Sequence, residues 1–535
     1  MPDLRLRLLA LAASLAAAFA PSAASAQSTH SQSLRIALKA AVDSADPHIS
    51  YTPNRNVQVH VWEALVAQDD KLHPVPSLAE SWHSIDPLTW EFDLRKGVVF
   101  SDGTPFTSED VAFSIRRAQA VTNARNYVAA VRNITAIDTP APDRVIIHTR
   151  APTPLQPEYL ATIAILSKHA ATDATEADFN GGRAAVGTGP YRWISWTPSQ
   201  KVVLEANSAW RGPAEPWKHV EFGVIPDDAA RVSALLAGDV DVIDYVPASL
   251  YPRVQNSGQT RLVTGDSLFT YYFYMDSMSA RIANATGDDG KPLPENPLRN
   301  PLVREAMTHA INRVALAARA MDGGATPIGQ VAPAGFIGND PSIPLPSYDP
   351  ALSRKLLAQA GYPNGFHLTI HCTADRFAGD SSSCQAIGQE LTAIGIHTAV
   401  EALPMAVYLR RSATIGPDHV PELSAELSMF ASSTGLASEA LTVLLRTPDR
   451  ERGFGGWNRT LYSNPLLDAA LDKVDTQFDP AAREQATRDA VRTAVNLYAF
   501  LPVFNLKSSY GLRSNLTMTP RGDQYTMATE IRPAQ

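Results

Sequence analysis

VVFSDGTPFTSEDVAFSIRRA, residues 98–118, gathers Asp102, Glu109 and Asp110 with serines and threonines around one glycine. It reads either as an acidic loop for a metal or acid/base chemistry, or as a turn followed by a well-capped helix. The residue order favours the second. Asp102-Gly103 is a turn signal after a short strand ending at Phe100. Thr107 stands at an N-cap with Asp110 three residues on, a capping-box variant. Phe106 before the cap and Val111 after it make a hydrophobic staple. Glu109 and Asp110 fall in the first helical turn, where the helix dipole favours negative charge. Each polar residue has a structural task, so the stretch predicts scaffold rather than chemistry.

Just upstream, TWEFDLR (89–95) alternates Trp90, Phe92 and Leu94 with charged residues, as a half-buried strand does. DRVIIHT (143–149) is a second strand. Asn300-Pro301 opens a helix predicted to run to Gly323-Gly324, and Asp349-Pro350 opens another that Gly361 stops. FHLTIHC (366–372), a helix around CQAIGQELTAI, and a strand over 396–402 follow. This alternation predicts an α/β fold for the second half of the chain.

The 535 residues carry 45% hydrophobic and 19% charged side chains and a net charge of −8 with no long basic run, which argues against a nucleic-acid-binding surface. At the start, Arg5 and Arg7 precede an apolar run from Leu8 to Ala20, and Ala24-Ser25-Ala26 is an A-x-A site. Residues 1–26 therefore read as a secretory signal peptide. No cysteine follows the cleavage point, so no lipid anchor is expected there, and the expected address is the periplasm. The two cysteines, Cys372 and Cys384, read as a disulfide in an exported chain. Closing so short a loop contributes roughly 3 kcal/mol on a chain-entropy model.

Other chemical-looking motifs fail. GTGPYRW from Gly187 puts Arg192 where a dinucleotide loop needs its third glycine. His367 and His371 share a strand face without an identifiable third ligand. Asp239 and Asp241 open a strand after Gly238. No nucleophile is paired with a base, so no catalytic residue, metal or cofactor is expected.

TWEFDLRKGVVFSDGTPFTSEDVAFSIRRA resembles the signature of the family 5 extracellular solute-binding proteins, which serve peptide, glutathione, nickel and related ABC importers. Further stretches resemble the family in its order: residues 186–243, 300–336, 348–370 and 457–471. The resemblance implies an α/β periplasmic binding protein fold of two lobes joined by two crossover strands, with the ligand held in the cleft. It implies lobe one over 27–275 plus 500–535, an additional subdomain over 67–184 within it, and lobe two over 276–499. The crossovers would be LFTYYFYMD (268–276) and AFLPVFNLK (499–507). The implied partners are a peptide or peptide-like solute and an ABC permease with its ATPase, the binding protein being a monomer. The implied site holds Tyr51, Tyr127, Phe430 and Trp457 as an aromatic wall, Thr434, Gly435 and Asn458 as polar or backbone contacts, and Arg376 for a ligand carboxylate. The stretch MFASSTGLASEAL (429–441) lacks the aspartate that peptide-binding relatives use for an amino group. Alternative ligands are therefore haem, a nickel chelate, an opine or a sugar. A periplasmic hydrolase is the rival reading.

Overall fold

The computed structural model describes residues 32–123, 127–282, 284–377, 379–416, 419–432 and 434–534. The expected signal peptide lies outside them. The decisive stretch forms a turn and the helix Ser108–Ala120. The Asp110 carboxylate accepts from the Thr107 backbone N–H at 2.9 Å and from the Lys168 N–H at 2.8 Å. Phe106 and Val111 are both buried in the core beneath a four-stranded antiparallel sheet ordered Ala79–Asp86, Thr89–Leu94, Arg144–Thr149 and Ile134–Ala141. Gly187 and Gly189 of the GTG motif press on the backbone of His60 and Val61, where a Cβ at Gly187 would lie 1.9 Å from the Val61 carbonyl. Close packing, not nucleotide binding, explains those glycines.

Among the described residues the main sheet has twelve strands. One end is built on Ser33–Leu38, which pairs in parallel with His219–Val224 and with Val242–Asp244. Its core gathers Leu34, Ile36, Leu204, Phe222, Tyr510 and Leu512. The other end is built on Phe366–Thr373, parallel to Ile396–Leu403, with a core of Phe273, Ile370, Ile387, Leu427 and Val503. Two long strands, Thr260–Met275 and Leu501–Arg513, pair antiparallel and serve both cores. Val263 packs on the first core, while Tyr271 and Phe273 belong to the second. The ladder between them is irregular from Asp266 to Thr270, where Asn505 donates to the Ser267 carbonyl at 3.0 Å and to the Thr270 hydroxyl at 2.8 Å. Such an irregularity weakens the ladder where the chain passes from one core to the other.

The helix expected from Pro301 to Gly323 ends instead at Ala310. Asn312 starts a new turn by accepting from the Ala315 N–H at 3.0 Å, while its own N–H is held by Glu390. A short asparagine side chain that satisfies a free helical N–H competes with continuation of the preceding helix. The disulfide Cys372–Cys384 is formed across a Cα–Cα distance of 6.4 Å. The helix following Cys372 begins at Asp380, so the tether spans a much shorter loop than the sequence predicts.

On the strand Ala425–Ala431, Glu426 is 1% exposed and burial raises its carboxyl to about 7, against the opposing effects of Tyr408 and the Arg459 guanidinium. The unfolded value is near 4.5. Between those values the folded chain binds the extra proton, so this group lowers stability as pH rises from about 4.5 to 7. Glu426→Gln should raise the melting temperature more at pH 8 than at pH 5, a gain of about 1–2 kcal/mol at the higher pH. Parallel melting curves for the two proteins across that range would refute the assignment.

Candidate functional site

A cavity of about 270 Å³ lies between the four-stranded-sheet unit and a separate helical cluster that includes Leu441, Leu444, Leu471 and Val491. Tyr127, Arg132 and Tyr159 line one wall, and Thr434, Glu439, Thr442, Phe454 and Asp475 line the other. Beyond Tyr159 and Phe454 it adjoins a further space of about 240 Å³. The walls meet around it. Gln68 donates to the Thr434 carbonyl at 3.0 Å, and Arg132 donates to the Arg452 carbonyl at 2.6 Å. Arg483 pairs with Glu158 at 3.2 Å, both largely buried. Trp90 and Phe478 face each other with ring centroids 5.9 Å apart.

The helical wall is held by local chemistry. Leu436 precedes the helix Ala437–Leu444, and Glu439 sits at its third position, where the helix dipole stabilises a carboxylate. Its Oε2 accepts from the Ser432 hydroxyl and from the Thr434 N–H (3.1 Å) and hydroxyl. Deeper in, Arg446 is 2% exposed, holds Asp475 and Asp472, and lies 3.6 Å over the Phe454 ring. Burial raises the Asp475 carboxyl, opposed by Arg446. Burial first, then the nearby carboxylates of Asp475 and Glu439, push the Tyr159 hydroxyl far above its ordinary range, so it stays a neutral donor. Carboxylates, phenols and one guanidinium around aromatic faces suit a small solute with both polar ends and an apolar middle.

Of the residues singled out in the sequence, Tyr127 and Thr434 line this cavity. Tyr127 also lies under the Arg55 guanidinium at 5.9 Å. Tyr51 is half-buried beside the cavity residue Ser50. The others are placed differently. Phe430 packs in an apolar recess with Leu268, Tyr272 and Val331. Gly435, at φ 82°, lets Leu72 approach, since a Cβ there would lie 2.6 Å from the Leu72 Cβ. Asn458 spends its amide on the Arg446 and Tyr462 carbonyls and its oxygen on the Tyr462 N–H and the Tyr274 hydroxyl. Trp457 is 47% exposed beneath Arg459, outside the cavity lining. Arg376 donates to the Met429 carbonyl at 3.4 Å and lies by Phe377, which packs against Tyr245 and Phe269 near the crossing strands.

Arg132, Tyr159, Glu439, Thr442, Phe454 and Asp475 were not singled out in the sequence. Glu439 lies inside the quoted stretch 429–441 and is legible there as the acid of a helix N-terminus. The rest come together only through the fold.

The profile of the bacterial extracellular solute-binding proteins, family 5 Middle, matches residues 73–417. The glutathione-binding protein GsiB of Pectobacterium atrosepticum is 28% identical over 471 residues, which is 85% of each chain. HbpA2 from Haemophilus parasuis superposes with a TM-score of 0.81 at 21% identity, over 94% of this chain and all of that one. The periplasmic murein tripeptide-binding protein MppA, in its unliganded open form, gives a TM-score of 0.78 at 20% identity, over 94% of this chain and 98% of that one.

Proposed function

The chain belongs to the bacterial extracellular solute-binding proteins of family 5, and we propose that it captures a small peptide or peptide-like solute between two lobes and delivers it to an ABC permease and its ATPase. The observation that carries this reading is the cavity between Tyr127, Arg132 and Tyr159 on one side and Glu439, Thr442 and Asp475 on the other. The two adjoining spaces together fall within the range of about 300–1,000 Å³ for small-molecule sites. That suits a solute of two or three residues better than a long chain. Glu439 and Asp475 suit an amine, while Arg132 and Tyr159 suit a carboxylate or amide. The relatives named for glutathione agree with that size and charge pattern.

Closure of one lobe on the other would bury the solute, and the ladder irregularity at Asp266–Thr270 is a suitable hinge. Lobe one would comprise residues 27–275 and 500–535, with 67–184 as its subdomain, and lobe two 276–499. The protein would work as a monomer in the periplasm, after loss of its leader. The role is binding, not catalysis.

The experiment is a thermal-shift panel on the exported chain with reduced glutathione, di- and tripeptides, and an opine. A shift with glutathione or a short peptide, and recovery of the compound unchanged, is expected. Turnover of the compound, or a shift confined to the opine, would overturn the reading.

A further inference from the structure

A second cavity, of about 290 Å³, opens between the end of the helix Pro301–Ala310, the end of the helix Pro480–Asn496 and the proline-rich segment 342–346. It shares no lining residue with the interlobe cavity. Its wall is mainly apolar, with Ile343, Pro344, Val495 and Phe500 among its members. Arg313 also lines it and is 2% exposed. The guanidinium spends Nε on the Pro502 carbonyl at 2.7 Å and Nη1 on the Thr308 carbonyl at 2.9 Å. Its Nη2 is buried without a hydrogen-bond partner.

Arg492, the other arginine of the wall, is already matched by Asp340 and Asp489. The carboxylate that acts on Arg313 is Glu390, which is engaged by the Asn312 N–H. Burial lowers the Arg313 guanidinium to about 10, the direction expected of a cation short of compensation. Two donor hydrogens of a desolvated cation thus stand unmatched on a residue that lines the hollow. A guanidinium attracts an anion over several ångströms, so a carboxylate in that hollow need not touch Nη2. The volume sits at the small end of ligand sites, about 300 Å³.

We propose that the cavity beside Arg313 is a second ligand site, separate from the interlobe cavity, for a small monocarboxylate with an aromatic or branched apolar body. The carboxylate would face Arg313, and the body would lie against Ile343, Val495 and Phe500.

Titration calorimetry of the whole exported chain with phenylacetate, and with benzylamine as the cation of similar shape, tests this. Phenylacetate should bind at least about tenfold more tightly than benzylamine. Val495→Trp, which fills the hollow and leaves Arg313 in place, should weaken phenylacetate by at least about tenfold. Thr442→Trp, which fills the interlobe cavity, should leave phenylacetate within about twofold. The proposal is overturned by absence of phenylacetate binding up to about 10 mM, by equal affinity for benzylamine, or by binding that survives Val495→Trp but is lost in Thr442→Trp. A misfolded Val495→Trp is recognised by its melting curve. Val495→Phe, a smaller filler, then serves in its place and must weaken phenylacetate if the proposal holds.

Discussion

Thr442→Trp is expected to abolish solute capture, weakening affinity by at least about 100-fold, while the chain still folds. Thr442 stands on the helix Ala437–Leu444, half-buried, and faces the cavity shared by Tyr127 and Tyr159. Its backbone carbonyl accepts from the Gly455 N–H, a bond the substitution leaves intact. An indole brings some 150–250 Å² of apolar surface into a space of about 270 Å³. It therefore occupies the volume that the solute needs and blocks approach to Glu439. The helix itself is anchored by Leu441 and Leu444 on its other face, so the melting temperature should change little. Retained affinity in a folded Thr442→Trp protein would place the solute elsewhere.

Arg446→Met is expected to cost about 3 kcal/mol of stability, at the lower end for loss of one partner of a buried ion pair. Arg446 is almost fully buried, whereas Asp475 and Asp472 are 34% and 54% exposed, so solvent softens the penalty. Methionine retains bulk but removes both forks and the stacking on Phe454. Asp475 and Phe454 line the candidate cavity, so affinity should fall along with stability. Arg446→Lys restores charge without the fork that reaches both aspartates and should fall between the two. Equilibrium unfolding in urea measures the first effect and calorimetric titration the second. Wild-type stability in Arg446→Met would refute the account of this wall.

The fold was largely legible because its signals are local. A cap, a staple and an Asp-Gly turn within Val98–Ala118 specify their own structure, and Phe106, Val111 and Asp110 meet the partners that the spacing implies. The missed helix break shows the limit of that logic. Asn312 lies in a strongly helical run, and its role as a cap depends partly on Glu390 from a distant helix.

The candidate site was less legible because it is assembled from faces. Phe430 alternates with Met429 along one strand, and which of them meets a cavity is set by the strand's neighbours, not its composition. Asn458 looks like a ligand-ready amide, yet the backbone around Arg446 and Tyr462 consumes its bonding capacity. Arg446, Asp472 and Asp475 carry no shared motif. They meet because the helix Pro465–Thr476 packs beside the segment that follows the helix Ala437–Leu444.

Capture between the two walls is tested by hydrogen–deuterium exchange of the whole exported chain, with and without the solute giving the largest thermal shift. Slowed exchange is expected on both walls at once, over residues 128–132 and 155–162 on one side and 434–443 on the other. The crossing strands near 266–270 should also change if their irregular ladder serves as the hinge. Protection confined to one wall, or centred on residues 342–346 with the cavity between the walls unaffected, would contradict such capture.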